Sequence, residues 1–205
     1  MRIGLLGGTF DPIHFGHLTI AENAYDQYEL DELWFMPSPD PPHKLTKEKS
    51  PYDVRFEMTK LAVGSRDGFI VSDYELKLEQ PSYTAKTLES LHKDYPDDDF
   101  FFIIGEDSLD KIETWYEPAK VLSQAAILVA GRIETDDIKT VEEQIRYLTR
   151  KYDARIYQIV CDYVDISSTE IRCRVNAGLS VSDLVPAEVE EYIWKEKLYM
   201  KSVKN

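Results

Sequence analysis

Two histidines three residues apart, His14 and His17, close the run Gly7-Gly8-Thr9-Phe10-Asp11-Pro12-Ile13-His14-Phe15-Gly16-His17. At helical spacing both imidazoles share one side of a helix start. Imidazoles placed there donate hydrogen bonds to phosphate oxygens and stabilise charge that develops in phosphoryl or nucleotidyl transfer. The glycines let the backbone approach a phosphate closely. A helix beginning near Gly16 presents free N–H groups and a positive dipole end to an anion. A His-x-x-His pair is also a metal-ligand spacing, but no cysteine or further histidine stands close enough in sequence to complete a zinc set. The run contains neither a P-loop pattern nor G-x-G-x-x-G, which excludes a P-loop NTPase and gives a nicotinamide-cofactor enzyme no support.

Such a turn needs a strand before it and a helix after it. Short apolar runs recur at Ile3–Leu6, Leu33–Met36, Phe69–Val71, Phe100–Ile104, Ala126–Ala130 and Ile156–Val160. Several are apolar throughout, as in strands covered on both faces of a parallel sheet. Helical stripes fill the gaps: Val54, Met58, Leu61 and Ala62; Thr84, Leu88 and Leu91; Val141, Ile145 and Leu148; Val189, Tyr192 and Ile193. Ser50-Pro51 reads as an N-cap and first helical residue, and Pro186 as another first-turn proline. Alternation of strand and helix predicts a doubly wound α/β fold with a mainly parallel sheet, whose ligand lies at the carboxyl end of the first strand. Pro37–Lys49, with four prolines, reads as an exposed loop, and Leu179–Pro186 as a connector before a closing helix.

The chain has 205 residues, 43% of them hydrophobic and 30% charged, which suits a single globular domain. Its net charge of −14 opposes binding to nucleic acid or to an anionic membrane surface. No apolar stretch approaches a membrane span, and the N-terminus reads as a strand rather than a signal peptide. Cys161 and Cys173 have no metal-type spacing and fit reduced thiols in the cytoplasm.

Gly8-Thr9-Phe10-Asp11-Pro12-Ile13-His14-Phe15-Gly16-His17 resembles the G-[ST]-F-D-P-x-H-x-G-H signature of the nucleotidylyltransferase superfamily. About 150 residues downstream, Ile166-Ser167-Ser168-Thr169-Glu170-Ile171-Arg172 resembles its I-S-S-T-x-I-R motif. Taken alone, a Ser/Thr cluster before Glu170 is an ordinary helix cap; with a phosphate on that cap, Arg172 projects from the first turn as a bidentate clamp. Between them, Pro41-Pro42-His43-Lys44, Pro81-Ser82-Tyr83-Thr84, Gly105-Glu106-Asp107 and Trp115-Tyr116 resemble the bacterial nicotinate-nucleotide adenylyltransferase family over nearly the whole chain.

That resemblance implies one Rossmann-like domain over 1–205, with an α/β core at 1–165 and a phosphate-binding motif with closing helices at 166–205. It implies transfer of AMP from ATP to nicotinate mononucleotide, giving deamido-NAD and pyrophosphate. His14, His17, Lys44 and Arg172 would stabilise charge. Gly7, Gly8, Thr9, Phe10, Gly105, Asp107, Ile166, Ser167, Ser168 and Thr169 would join His17 and Arg172 around ATP. His43, Lys44, Tyr83, Thr84, Trp115, Tyr116 and Arg132 would bind the mononucleotide. Mg²⁺ would be held mainly by ATP phosphates and water. Several of these residues have simpler readings too: Asp107 as a helix cap, Trp115 and Tyr116 as core aromatics, Pro-Pro-His-Lys as a plain loop. Related acceptors, nicotinamide mononucleotide or phosphopantetheine, stay open, as does a non-catalytic nucleotide sensor on the same fold. Oligomeric state is open, a homodimer included.

Overall fold

Unbroken apolar runs form the strands. The computed structural model describes residues 1–39, 49–131, 138–161 and 166–200. Within them lie β1 (Arg2–Gly8), β2 (Glu32–Pro37), β3 (Phe69–Val71), β4 (Asp99–Gly105), β5 (Ala126–Ala130) and β6 (Ile156–Ile159). They make one sheet in the order β3-β2-β1-β4-β5-β6, with every neighbouring pair parallel. The order turns back at β1, so β1 and β4 diverge to their connections and leave a crevice at their carboxyl ends.

The helices are α1 (Phe15–Gln27), α2 (Tyr52–Val63), α3 (Thr84–Asp94), α4 (Glu106–Asp110), α5 (Pro118–Gln124), α6 (Ile138–Tyr152), α7 (Ser168–Asn176) and α8 (Ala187–Lys195). Alternation along β1 divides the core. Leu6 packs with apolar residues of α1, α2, α7 and α8, while Ile3 and Leu5 pack with those of α3, α4, α5 and α6. Each fully buried leucine or isoleucine in these two layers stabilises by about 1.5–3 kcal/mol relative to exposure. None of the described helices is long and apolar enough to cross a membrane.

Three local expectations change. Pro51 and Pro186 are N-cap residues rather than first helical residues, and Ser50 lies before the cap. The buried face of α2 is Arg55, Met58, Thr59, Ala62 and Val63, turned about one residue from the apolar stripe of the sequence. The Leu179–Pro186 connector reaches the first turn, since the Phe15 N–H donates to the Leu184 carbonyl at 3.0 Å. One N–H expected to face an anion is therefore already engaged.

Candidate active site

A cleft of about 390 Å³ opens at the carboxyl ends of β1 and β4, at the reversal of strand order. Gly7, Gly8, Thr9 and His17 line one side, and Gly105 lies at the end of β4. Gly8 is required sterically: a Cβ there would fall 2.6 Å from the Phe10 ring. Phe10 itself has φ +48° and is 2% exposed. Its ring packs edge-on to His17, with centroids 5.0 Å apart, and also meets Phe35. Phe10 thus supports the turn from within the core and does not line the cleft.

The two histidines have different environments. His14 is the N-cap of α1, and its carbonyl accepts from the His17 and Leu18 N–H groups. Its own N–H donates to His17 Nδ1 at 3.3 Å, and the two rings lie 3.7 Å apart. In a neutral His17 this leaves the proton on Nε2, which makes that atom a donor. His14 is 7% exposed, and its Nδ1 has no hydrogen-bond partner among the described residues. Burial pulls the His14 pKa down to about 4. His14 is therefore neutral at pH 7 and stands behind His17 rather than on the cleft wall.

Behind the turn lies a polar knot. Asp11 accepts through one carboxylate oxygen from the Tyr199 hydroxyl at 2.7 Å and through the other from the Ser50 N–H at 3.2 Å. Burial, with Asp11 adding to it, pushes the Tyr199 hydroxyl pKa up. Arg55, fully buried, donates to the carbonyls of Thr9 at 2.6 Å, Ser38 at 2.9 Å and Ser50 at 3.0 Å. Burial lowers its pKa, opposed chiefly by Asp11.

The second motif meets the turn from the other end of the chain. Ser167 caps α7 by accepting from the Glu170 N–H at 3.1 Å. The Ser168 hydroxyl donates to the Pro12 carbonyl at 2.9 Å. Arg172 donates to the Asp11 carbonyl at 2.7 Å and to the Thr169 hydroxyl at 3.1 Å. Two expected ligand groups, Arg172 and Ser168, thus fasten α7 to the turn. Ile166, Ser167, Thr169 and these two gather beside the turn and outside the lining of the cleft.

Across the cleft stand Tyr83, Thr84, Trp115 and Tyr116. The Tyr83 and Tyr116 rings are 4.6 Å apart, with Lys86 Nζ about 6 Å from each. Trp115 is set edge-to-face on Phe102 at 6.2 Å. Thr84 begins α3, so that helix start faces the same space. Glu75 also lines the cleft, a carboxyl that sequence reasoning missed. It accepts from the Thr87 hydroxyl at 3.0 Å. Burial pushes its pKa up, against the Thr87 and Ser82 hydroxyls.

Asp107 is exposed in the first turn of α4, and the wall there is formed by Gly105 and Ser108 instead. His43, Lys44 and Arg132 lie outside the described residues, as does most of the expected Pro37–Lys49 loop. Also missed were Ser38, Arg55 and Tyr199. For Arg55 a signal existed: a charged residue three places before Met58 and seven before Ala62, on what became the buried face.

A sequence model of the family described as cytidylyltransferase-like matches residues 5–174. A protein of Lachnoclostridium phytofermentans, named "Probable nicotinate-nucleotide adenylyltransferase", is 42% identical over 199 residues, covering 97% of this chain and 99% of that protein. One of Geotalea daltonii with the same name is 39% identical, covering 97% and 98%. Among solved structures, the nicotinic acid mononucleotide adenylyltransferase of Plasmodium falciparum complexed with NaAD superimposes with a TM-score of 0.76 at 19% identity, covering 97% of each chain. At that identity it shows a shared fold.

Proposed function

The chain belongs to the nicotinate-nucleotide adenylyltransferases of the cytidylyltransferase-like family, and on that premise we propose that it transfers AMP from ATP to nicotinate mononucleotide. The products are nicotinate adenine dinucleotide and pyrophosphate, a step of NAD biosynthesis. The observation that carries this reading is the single cleft in which His17 and the Gly8-Thr9 backbone face an aromatic wall and the start of α3.

An oxygen of the mononucleotide phosphate attacks the α-phosphorus of ATP in line. The new oxygen–phosphorus bond forms as the bond to the bridging oxygen of the β-phosphate breaks, and pyrophosphate leaves. The attacking phosphate already carries its nucleophilic oxygen, so no general base is required. What the protein supplies is position and charge stabilisation. His17 donates from Nε2 to the reacting phosphates, with His14 behind it fixing its ring. Gly7, Gly8, Thr9 and Gly105 attend ATP within the cleft, and Arg172 and the α7 cap, beside the turn, attend its outer phosphates. Lys44, His43 and Arg132 attend phosphate charge on the acceptor side.

Among the described residues no group of three or more His, Cys, Asp or Glu could hold a metal ion. Mg²⁺ carried by triphosphate oxygens and water would neutralise charge on the leaving pyrophosphate. Two free cysteines, Cys161 and Cys173, support a reducing, cytoplasmic setting.

The test is chromatography of the products, with pyrophosphate measured in parallel, from ATP and Mg²⁺ with nicotinate mononucleotide, nicotinamide mononucleotide or phosphopantetheine. Dinucleotide and pyrophosphate in equal amounts from the nicotinate acceptor are expected. Absence of both with that acceptor would overturn the assignment.

A further inference from the structure

The geometry points to Arg55 as a positioning residue of the transfer reaction: its buried guanidinium sets the backbone of Thr9 and Ser38, which walls the cleft beside His17. This inference rests on the adenylyltransferase reading.

Arg55 lies on the core-facing side of α2, flanked along that face by Met58 and Ala62. An apolar side chain there would suffice to fill the core. A buried guanidinium carries a desolvation penalty that hydrogen bonds must offset. Its three bonds reach three separate stretches of chain: the turn after β1 at Thr9, the exit of β2 at Ser38, and the approach to α2 at Ser50. Ser38 is held from both ends, since its N–H donates to the Gly8 carbonyl at 2.8 Å. Thr9, Ser38 and Gly8 all line the cleft, whereas Arg55 touches it nowhere. The planar fork donates from three separate nitrogens, Nε, Nη1 and Nη2, one to each carbonyl; a lysine ammonium has its three donors on one atom at the end of a flexible stem.

The charge is also placed within a local field. Asp11, whose carboxylate is fixed by Ser50 and Tyr199, is the chief charged group acting on Arg55, and the guanidinium carbon sits 5.7 Å from the Tyr52 ring. The arrangement therefore specifies where the turn sits relative to β2. A displacement of about 1 Å in such a support can cost on the order of 10²-fold in rate.

The experiment compares wild type, Arg55→Lys and Arg55→Met in steady-state kinetics with ATP and nicotinate mononucleotide, with folding followed by circular dichroism and thermal melting. Both variants are expected to melt cooperatively, with kcat lowered at least about tenfold and both KM values within about threefold of wild type. A kcat within twofold of wild type in a folded Arg55→Met protein would overturn the inference. Failure of both variants to fold would overturn it too, by making Arg55 a requirement of the fold. If wild type itself gives no dinucleotide, the adenylyltransferase reading fails, whatever the variants do.

Discussion

Because the His14 N–H donates to His17 Nδ1, a neutral His17 carries its hydrogen on Nε2, and the residue lines the cleft. A preorganised donor of that kind is worth on the order of 10²–10³ in kcat. His17→Ala is therefore expected to lose that factor in steady-state turnover while its melting temperature stays near wild type. Near-normal turnover in the folded variant would remove His17 from the reaction. His14 also bears on stability. Burial lowers its pKa from 6.5 to about 4, so between those values the unfolded chain binds more protons than the folded one. Stability from this group is complete above about pH 6.5 and is lost as the pH falls toward 4, with a slope of at most about 1.4 kcal/mol per pH unit. Urea unfolding across that range should show the slope in wild type and a flatter curve in His14→Gln. Identical slopes would show that another group drives acid unfolding.

Elements were legible wherever an apolar pattern alone determines them. Phe69–Val71 and Ala126–Ala130 appear as strands with the expected bounds, and the stripes of α3, α6 and α8 mark faces that bury Leu88 and Leu91, Val141 and Leu148, Val189 and Ile193. The Ser167 cap of α7 was legible too, since its chemistry is local. What could not be read was long-range polar bonding. Arg55 escaped because periodicity counts apolar residues, and its partners are up to 46 positions away. The capture of the Phe15 N–H by Leu184 and the closure of Tyr199 onto Asp11 join distant parts of the chain and leave no local pattern. The same joining shapes the expectation for Arg172. It ties α7 to the Asp11 carbonyl beside the turn, so removing it should disturb the triphosphate side first. Arg172→Ala is expected to raise the KM for ATP, or lower kcat, well beyond any change in the KM for the acceptor. If titrating each substrate in turn leaves both ATP parameters unchanged, Arg172 serves the fold alone.

On the scale of the whole molecule, acceptor choice has to overcome an adverse field. The chain carries −14, and nicotinate mononucleotide brings one more negative charge than its amide analogue, so any preference for the acid must arise locally. The start of α3 at Thr84 supplies N–H groups and a positive dipole end, worth about 0.3–1 kcal/mol and up to about 2 in a partly buried site. Lys86, near the Tyr83 and Tyr116 faces, adds positive charge close by. The opposing group is Glu75, which as a carboxylate would repel the acid and could accept from the amide. Burial raises its pKa, which lessens that repulsion, and one of its oxygens is already engaged by the Thr87 hydroxyl. An amide donor left unpaired there costs about 1–3 kcal/mol. At about 1.4 kcal/mol per decade, these contributions predict at least a tenfold advantage for nicotinate mononucleotide in kcat/KM. Trp115 lines the cleft and is braced edge-to-face by Phe102; on the proposed placement of the acceptor ring against it, Trp115→Ala should raise KM for both acceptors and affect ATP less. Steady-state kinetics on the two acceptors at one ATP concentration decides the matter. Equal efficiency, or preference for the amide, would mean that Glu75 rather than the start of α3 governs the pocket.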